Sequence, residues 1–205
     1  MKKSILMSIG LLILSVMSYG QAQVAFGLKG GLNLAKLDIN QGASNIDNRT
    51  GFHGGAFALI KLTKIGIQPE ILFSKQGATF KANTTDVEAN FDYINVPVLL
   101  KLYLAGGLNL QLGPQFGFLT TSEFVSTTSG IKTTQDVKSL LDKKYDMAVA
   151  AGIGWDLPFG VTLDARYNIG LSDVQYKLTT TSSPVTLKNQ VIQISIGYKL
   201  IKLGK

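Results

Sequence analysis

Beyond residue 23 the chain is patterned with a period of two. Val24, Phe26, Leu28, Leu32 and Leu34 are apolar, while Ala25, Gly27, Lys29, Gly31 and Asn33 between them are small or polar. Successive side chains of a strand point to opposite faces, so this reads as a β-strand with one greasy face. The pattern recurs seven times. A second segment carries Phe52, Ala56, Ala58, Ile60 and Leu62, and a third carries Ile65, Ile67, Ile71 and Phe73 opposite Gly66, Gln68, Glu70 and Ser74. The fourth sets Ile94, Val96, Val98, Leu100, Leu102 and Leu104 against Tyr93, Asn95, Pro97, Leu99, Lys101 and Tyr103. The fifth runs from Leu108 to Phe118, the sixth from Asp146 to Leu157, the seventh from Val161 to Leu171 and the eighth from Ile192 to Leu200.

Segments of about 10 to 14 residues match or exceed the roughly 9–11 that a tilted strand needs to cross hydrocarbon. Strands of soluble proteins average nearer 5–6. The connections alternate as well. Thr63 and Lys64, Ala105 to Gly107, and Pro158 to Gly160 make tight turns, whereas residues 36 to 50, 77 to 91, 120 to 144 and 172 to 189 are long and polar. Short periplasmic turns and longer external loops are the habit of outer-membrane barrels. The expected fold is all-β: an eight-stranded antiparallel up-and-down transmembrane β-barrel. Pro69, Pro97 and Pro114 fall inside segments three, four and five. Each removes a ladder donor, and a bulge is expected at each.

Ahead of the strands, MKKSILMSIGLLILSVMSYGQAQ has a basic start, an apolar stretch from Ile5 to Met17, and small or polar residues after it. These are the parts of a secretory signal peptide. The expected division is a signal peptide over 1–22, cut after residue 20 or 22, and a barrel domain over 23–205. About a dozen apolar residues fall short of the roughly 20 that a spanning helix needs.

Composition narrows the chemistry. Cysteine is absent, which excludes disulfides, thiolate metal sites, a thiol nucleophile and a lipoprotein anchor. The net charge of +7 is dispersed rather than gathered into a stripe, and two of the lysines lie in the leader. Nucleic-acid binding is therefore not expected. Charged residues are 16% of the chain and mean hydropathy is +0.21, as when apolar side chains are spread thinly over many strands.

If the greasy face meets lipid, aromatic residues belong at the interfaces. Phe26, Trp155 and Tyr198 fall toward the periplasmic side, and Phe52, Phe73, Phe116, Phe118 and Tyr167 toward the external side. On the opposite face, Lys29, Glu70, Lys101, Asp164 and Arg166 lie centrally in their segments. Eight strands leave an interior that side chains fill, and buried charges persist when paired. An internal ion-pair network is expected, with Glu70 among Lys29, Lys101 and Arg166, and with Gly31 and Gly113 making room. His53 has no second histidine or cysteine beside it, no serine sits in a G-x-S-x-G elbow, and Gly27, Gly30 and Gly31 lack the setting of a dinucleotide site. No catalytic, cofactor or metal residues are assigned, and no enzyme activity is expected. The loops Ser122 to Lys144 and Asp173 to Asn189 are the expected recognition surface. Val125 to Ser129 and Thr179 to Ser183 within them are read as extending the strands beyond the membrane.

The stretches FGLKGGLNLAKL (Phe26 to Leu37), QPEILFSKQG (Gln68 to Gly77), YINVPVLLKLY (Tyr93 to Tyr103), GPQFGFL (Gly113 to Leu119) and ARYNIGLSDV (Ala165 to Val174) resemble the PorT-like outer-membrane β-barrel family of Bacteroidota. The resemblance implies an outer-membrane location and tolerated prolines, without a shared activity. Three functions remain open: a monomeric structural, envelope-assembly or partner-binding barrel, a barrel passing small solutes, and a soluble lipocalin-like periplasmic barrel with its apolar face inward.

Overall fold

The computed structural model describes residues 22–39, 46–82, 85–128, 131–136, 145–171, 174–175 and 186–204. Residues 1–21, which make up all but Ala22 of the expected signal peptide, and the segment Thr179 to Ser183 lie outside the described residues. Ten strands form one antiparallel sheet: β1 (Ala22–Ile39), β2 (Ile46–Leu62), β3 (Ile65–Ala82), β4 (Thr85–Tyr103), β5 (Leu108–Thr128), β6 (Ile131–Asp136), β7 (Tyr145–Asp156), β8 (Val161–Gly170), β9 (Val174–Gln175) and β10 (Thr186–Leu203). Eight of them, all but β6 and β9, pair in a ring that closes where β1 meets β10. Closure gives backbone donors and acceptors partners on both sides of each ring strand, which is the condition lipid imposes on β structure.

The ring places the two faces as the period of two requires. Leu32, Ile71, Leu112, Ile153 and Ile196 point outward and are more than half exposed. Lys29, Glu70, Lys101, Asp164 and Arg166 point inward and are buried. An apolar wall around a polar interior is a bilayer-spanning arrangement, not a lipocalin-like one. The face assignment is blurred on β2 and β3, where Phe57, Leu59 and Leu72 also point inward and are buried. Gly27 makes room for the Phe57 ring, since a Cβ there would collide with it.

Thr63–Lys64, Ala105–Gly107 and Pro158–Gly160 close three tight turns at the end of the barrel that also holds Ala22 and Leu203. Gly106, Gly107 and Gly160 take the positive φ angles that such turns demand of the backbone. The opposite end departs from the expected loops. Strands β1 to β5 are 17 to 21 residues long, so much of residues 36–50, 77–91 and 120–144 is strand. Beyond Glu123, β5 exchanges partners from β7 to β6. Threonine, valine and phenylalanine supply β propensity there, and the ladder continues past the apolar band.

The prolines do not create bulges. Pairing between β2 and β3 skips from Phe57↔Glu70 to Ile60↔Ile67 beside Pro69 and resumes in the same register. The β3–β4 ladder skips likewise beside Pro97, and the β4–β5 ladder beside Pro114. Each proline withholds one N–H from the preceding strand while pairing normally with the following one: Pro69↔Val98, Pro97↔Gln115 and Pro114↔Val149. A missing donor costs a local pair and needs no inserted residue. Register shifts occur instead at Phe26/Gly27, Asn48/His53 and Asp92/Tyr93.

Candidate functional site

The lumen is built in layers, each supplied by inward positions of several strands. The central layer joins β1, β3, β5 and β8. Arg166 on β8 reaches across to Glu70 on β3 with Nη1–Oε2 at 2.8 Å and Nη2–Oε1 at 2.7 Å. Lys29 Nζ lies 2.7 Å from Asp164 Oδ2 and 3.2 Å from Glu70 Oε1. Gln111 fills the space between, accepting from Arg166 Nε at 2.7 Å and donating to Asp164 Oδ1 at 2.5 Å. All five side chains are buried. Two cations and two carboxylates thus neutralise one another, with amides saturating the remaining lone pairs, as buried charges need.

Lys101 does not belong to Glu70, contrary to the expectation from sequence. It lies one layer nearer the short turns, 3.0 Å from Asp156 Oδ1. Lys199 binds Asp156 Oδ2 at 2.8 Å, and the Tyr103 hydroxyl donates to the same oxygen at 2.8 Å. The physical reason is reach: from β4 the Lys101 ammonium meets Asp156 on β7, the strand on the other side of β5, whereas Glu70 is already engaged by Arg166, Lys29 and Gln68. Gln68 links the layers, accepting from Lys101 Nζ at 3.1 Å and donating to Glu70 Oε1 at 2.7 Å. Asp156 and Lys199 were missed as network members. Their signal was present, since each occupies an inward position at the end of its strand.

On the side of the ion pairs away from the short turns, His53 is held between Asn33 Oδ1, 2.8 Å from Nδ1, and Ser195 Oγ, 2.8 Å from Nε2. Asn33 Oδ1 also accepts from Gln193 Nε2 at 3.0 Å, and Asn33 Nδ2 donates to Ser74 Oγ at 2.9 Å. Both ring nitrogens are engaged in the hydrogen-bonded layer, which makes His53 a structural crosslink across β1, β2 and β10.

The outer wall carries the aromatic residues at its two ends. Phe26, Trp155 and Tyr198 lie near the short turns, with Trp155 Nε1 donating to the Gly106 carbonyl at 3.0 Å. Phe159, in the β7–β8 turn, adds to them and is 65% exposed. Toward the other end, Phe73, Ile94, Phe118 and Tyr145 form one continuous cross-strand row. Phe52, Phe116 and Tyr167 also face outward there. Tyr145 and Phe159 were not singled out from the sequence.

A closed eight-stranded wall, apolar outside and filled with ion pairs inside, defines an integral membrane β-barrel. The chain matches the family described as outer membrane protein beta-barrel domain over residues 19–176 and belongs to it. Its location is the outer membrane. Among solved structures, Neisserial surface protein A is similar in fold, with TM-score 0.52 and 13% identity over 86% of this chain and 99% of that one. Ail of Yersinia pestis aligns with TM-score 0.47, at 13% identity over 87% and 99% of the two chains. OprG of Pseudomonas aeruginosa aligns with TM-score 0.42, at 12% identity over 91% and 97%. No curated protein sequence matches the chain.

Proposed function

We propose that this barrel is a non-catalytic, monomeric scaffold that holds a rigid β-platform outside the membrane for a protein partner or an envelope assembly. The observation that carries this reading is the length of the strands on one side of the ring. About 9–11 residues suffice to cross hydrocarbon, yet β4 has 19 and β5 has 21. Their surplus length continues beyond the aromatic row, where β5 pairs with β6 through six consecutive residue pairs. Lys132 to Gln135 on β6 are exposed. Loops presented by a rigid scaffold commonly carry recognition, and this side of the barrel supplies such a scaffold. The finer kinship with PorT-like barrels rests on the glycine- and proline-bearing stretches of the sequence and extends to architecture, not to a secretion role.

A solute-passing role is disfavoured by the filled lumen, where the central and turn-side layers join residues from opposite walls. The discriminating experiment is electrical and cellular together. Purified barrel in planar bilayers is expected to give no conductance steps. In cells, removing the hairpin tip over residues 124–136 is expected to leave membrane insertion and heat-modifiable gel mobility intact while abolishing capture of a crosslinked envelope partner. Stepwise conductance would favour the transport reading, and undiminished capture would remove the platform from the mechanism.

A further inference from the structure

On the external side of the His53 layer two buried lumen amides are left without partners among the described residues. Asn95 on β4 and Asn168 on β8 are only 2% and 3% exposed. Asn95 Nδ2 and both amide atoms of Asn168, Nδ2 and Oδ1, have no hydrogen-bond partner among the described residues. The two residues line one small cavity together with Tyr93, Gln115, Gly117 and Ala148. About 10 Å³ of it is free for the centre of a guest molecule, on the order of what a single water needs. The space depends on a glycine: a Cβ on Gly117 would come within 2.9 Å of Asn95 Oδ1 and 3.4 Å of the Tyr93 ring.

We propose that this cavity is a binding site for one ordered water molecule, which bridges Asn95 and Asn168 and marks the floor of a hydrated external half of the lumen. The chemistry selects the guest. Two amide N–H groups require an acceptor and the Asn168 carbonyl requires a donor, so the guest must do both. A cation would satisfy only oxygens, the Asn168 carbonyl and the Asp146 carboxylate that also lines the cavity, and would leave the amide N–H groups unmet, while an anion would satisfy only the N–H groups and would face that carboxylate. Larger hydroxylic solutes exceed the space. The route is external, because the His53–Asn33–Gln193 layer and the two ion-paired layers lie between this cavity and the short turns. The barrel is then wet above His53 and dry below it, a division that goes beyond the platform role and does not depend on it.

The test uses the full-length barrel in lipid bilayers and water itself as the probe. Solid-state NMR with short water-to-protein polarisation transfer is expected to light up the side-chain amides of Asn95 and Asn168 while leaving the Arg166 guanidinium dark. Absence of transfer at both asparagines overturns the proposal. A second readout has opposite signs for the two cases. If the site is dry, Asn168→Leu removes an unpartnered amide and raises the unfolding temperature. If water is bound, the same substitution expels it, strands Asn95 and lowers the unfolding temperature by several degrees, which is the expected result. Should Asn168→Leu fail to insert, Gly117→Ala serves instead: loss of water transfer at Asn95 in a folded barrel supports the site, and unchanged transfer overturns it.

Discussion

Arg166 and Glu70, 96 residues apart in the chain, meet in the lumen through two parallel hydrogen bonds of 2.8 and 2.7 Å. The fork of the guanidinium matches the carboxylate, so the pair fixes direction as well as charge. Lys29 completes the neutralisation from a third strand. Removing one member leaves a buried charge without its counter-ion, which costs about 3–5 kcal/mol in comparable sites. Glu70→Gln is therefore expected to lower the temperature at which the folded gel band converts to the unfolded one. An unchanged conversion temperature would show that the network contributes nothing to stability.

Asp156 is the counterpart at the turn side, taking Lys101, Lys199 and the Tyr103 hydroxyl at once. Asp156→Asn uncouples two lysines together, whereas Tyr103→Phe removes one hydrogen bond to a charged group, worth about 1.5–3 kcal/mol. The aspartate substitution is expected to be the more damaging in urea unfolding from lipid vesicles. Equal midpoints for the two variants would contradict the convergence on Asp156.

The outer wall should report depth. Ile194 is outward and 56% exposed in the middle of β10, while Leu104 is outward and 57% exposed at the β4–β5 turn. An arginine costs about 2–4 kcal/mol at the centre of a bilayer and about 0–1 near its edge. Ile194→Arg is expected to depress folding yield into vesicles well below that of Leu104→Arg. Similar yields would argue that the apolar band is not centred on Ile194.

Adjacent glycines in β1 offer a control on close packing. A Cβ at Gly31 would run into the Ile194 carbonyl of β10, whereas a Cβ at Gly30 meets only the His53 carbonyl at 3.5 Å, an ordinary contact. Gly31→Ala is expected to lower the conversion temperature and Gly30→Ala to leave it nearly unchanged. A reversed order would contradict the β1–β10 register.

Much of this was legible in the sequence because inside and outside differ by parity. Lys29, Glu70, Asp164 and Arg166 could be assigned to one interior from alternation alone, and the structure brings those four together. Alternation carries no information about height, however, and partner choice depends on it. Parity therefore allows Lys101 either carboxylate, and only the packed lumen selects Asp156 over Glu70. Nor does period two reveal register shifts such as the one between Asp92 and Tyr93, since each flank of a shift alternates equally well. The segment Ala56 to Ile60 was hard to read for another reason: Phe57 and Leu59 fill the lumen with apolar volume, so both faces look alike. The long polar connections read as loops from polarity alone, yet much of their length is strand. Outside the hydrocarbon a strand needs no apolar face, and Thr121 to Thr128 are strand for that reason.

The seam between β1 and β10 joins Val24 to Leu203 and Ile39 to Leu187. β1 therefore waits for β10, the ring strand farthest along the chain, before its second edge is paired. Bringing such distant segments together makes closure a late, long-range event with a large entropic barrier. A chain that stops before β10 has two open edges, which hydrocarbon does not tolerate. Assembly of the ring is consequently all-or-none: a product that lacks β10 has no partially inserted resting place, and completion reduces to whether β1 and β10 have met.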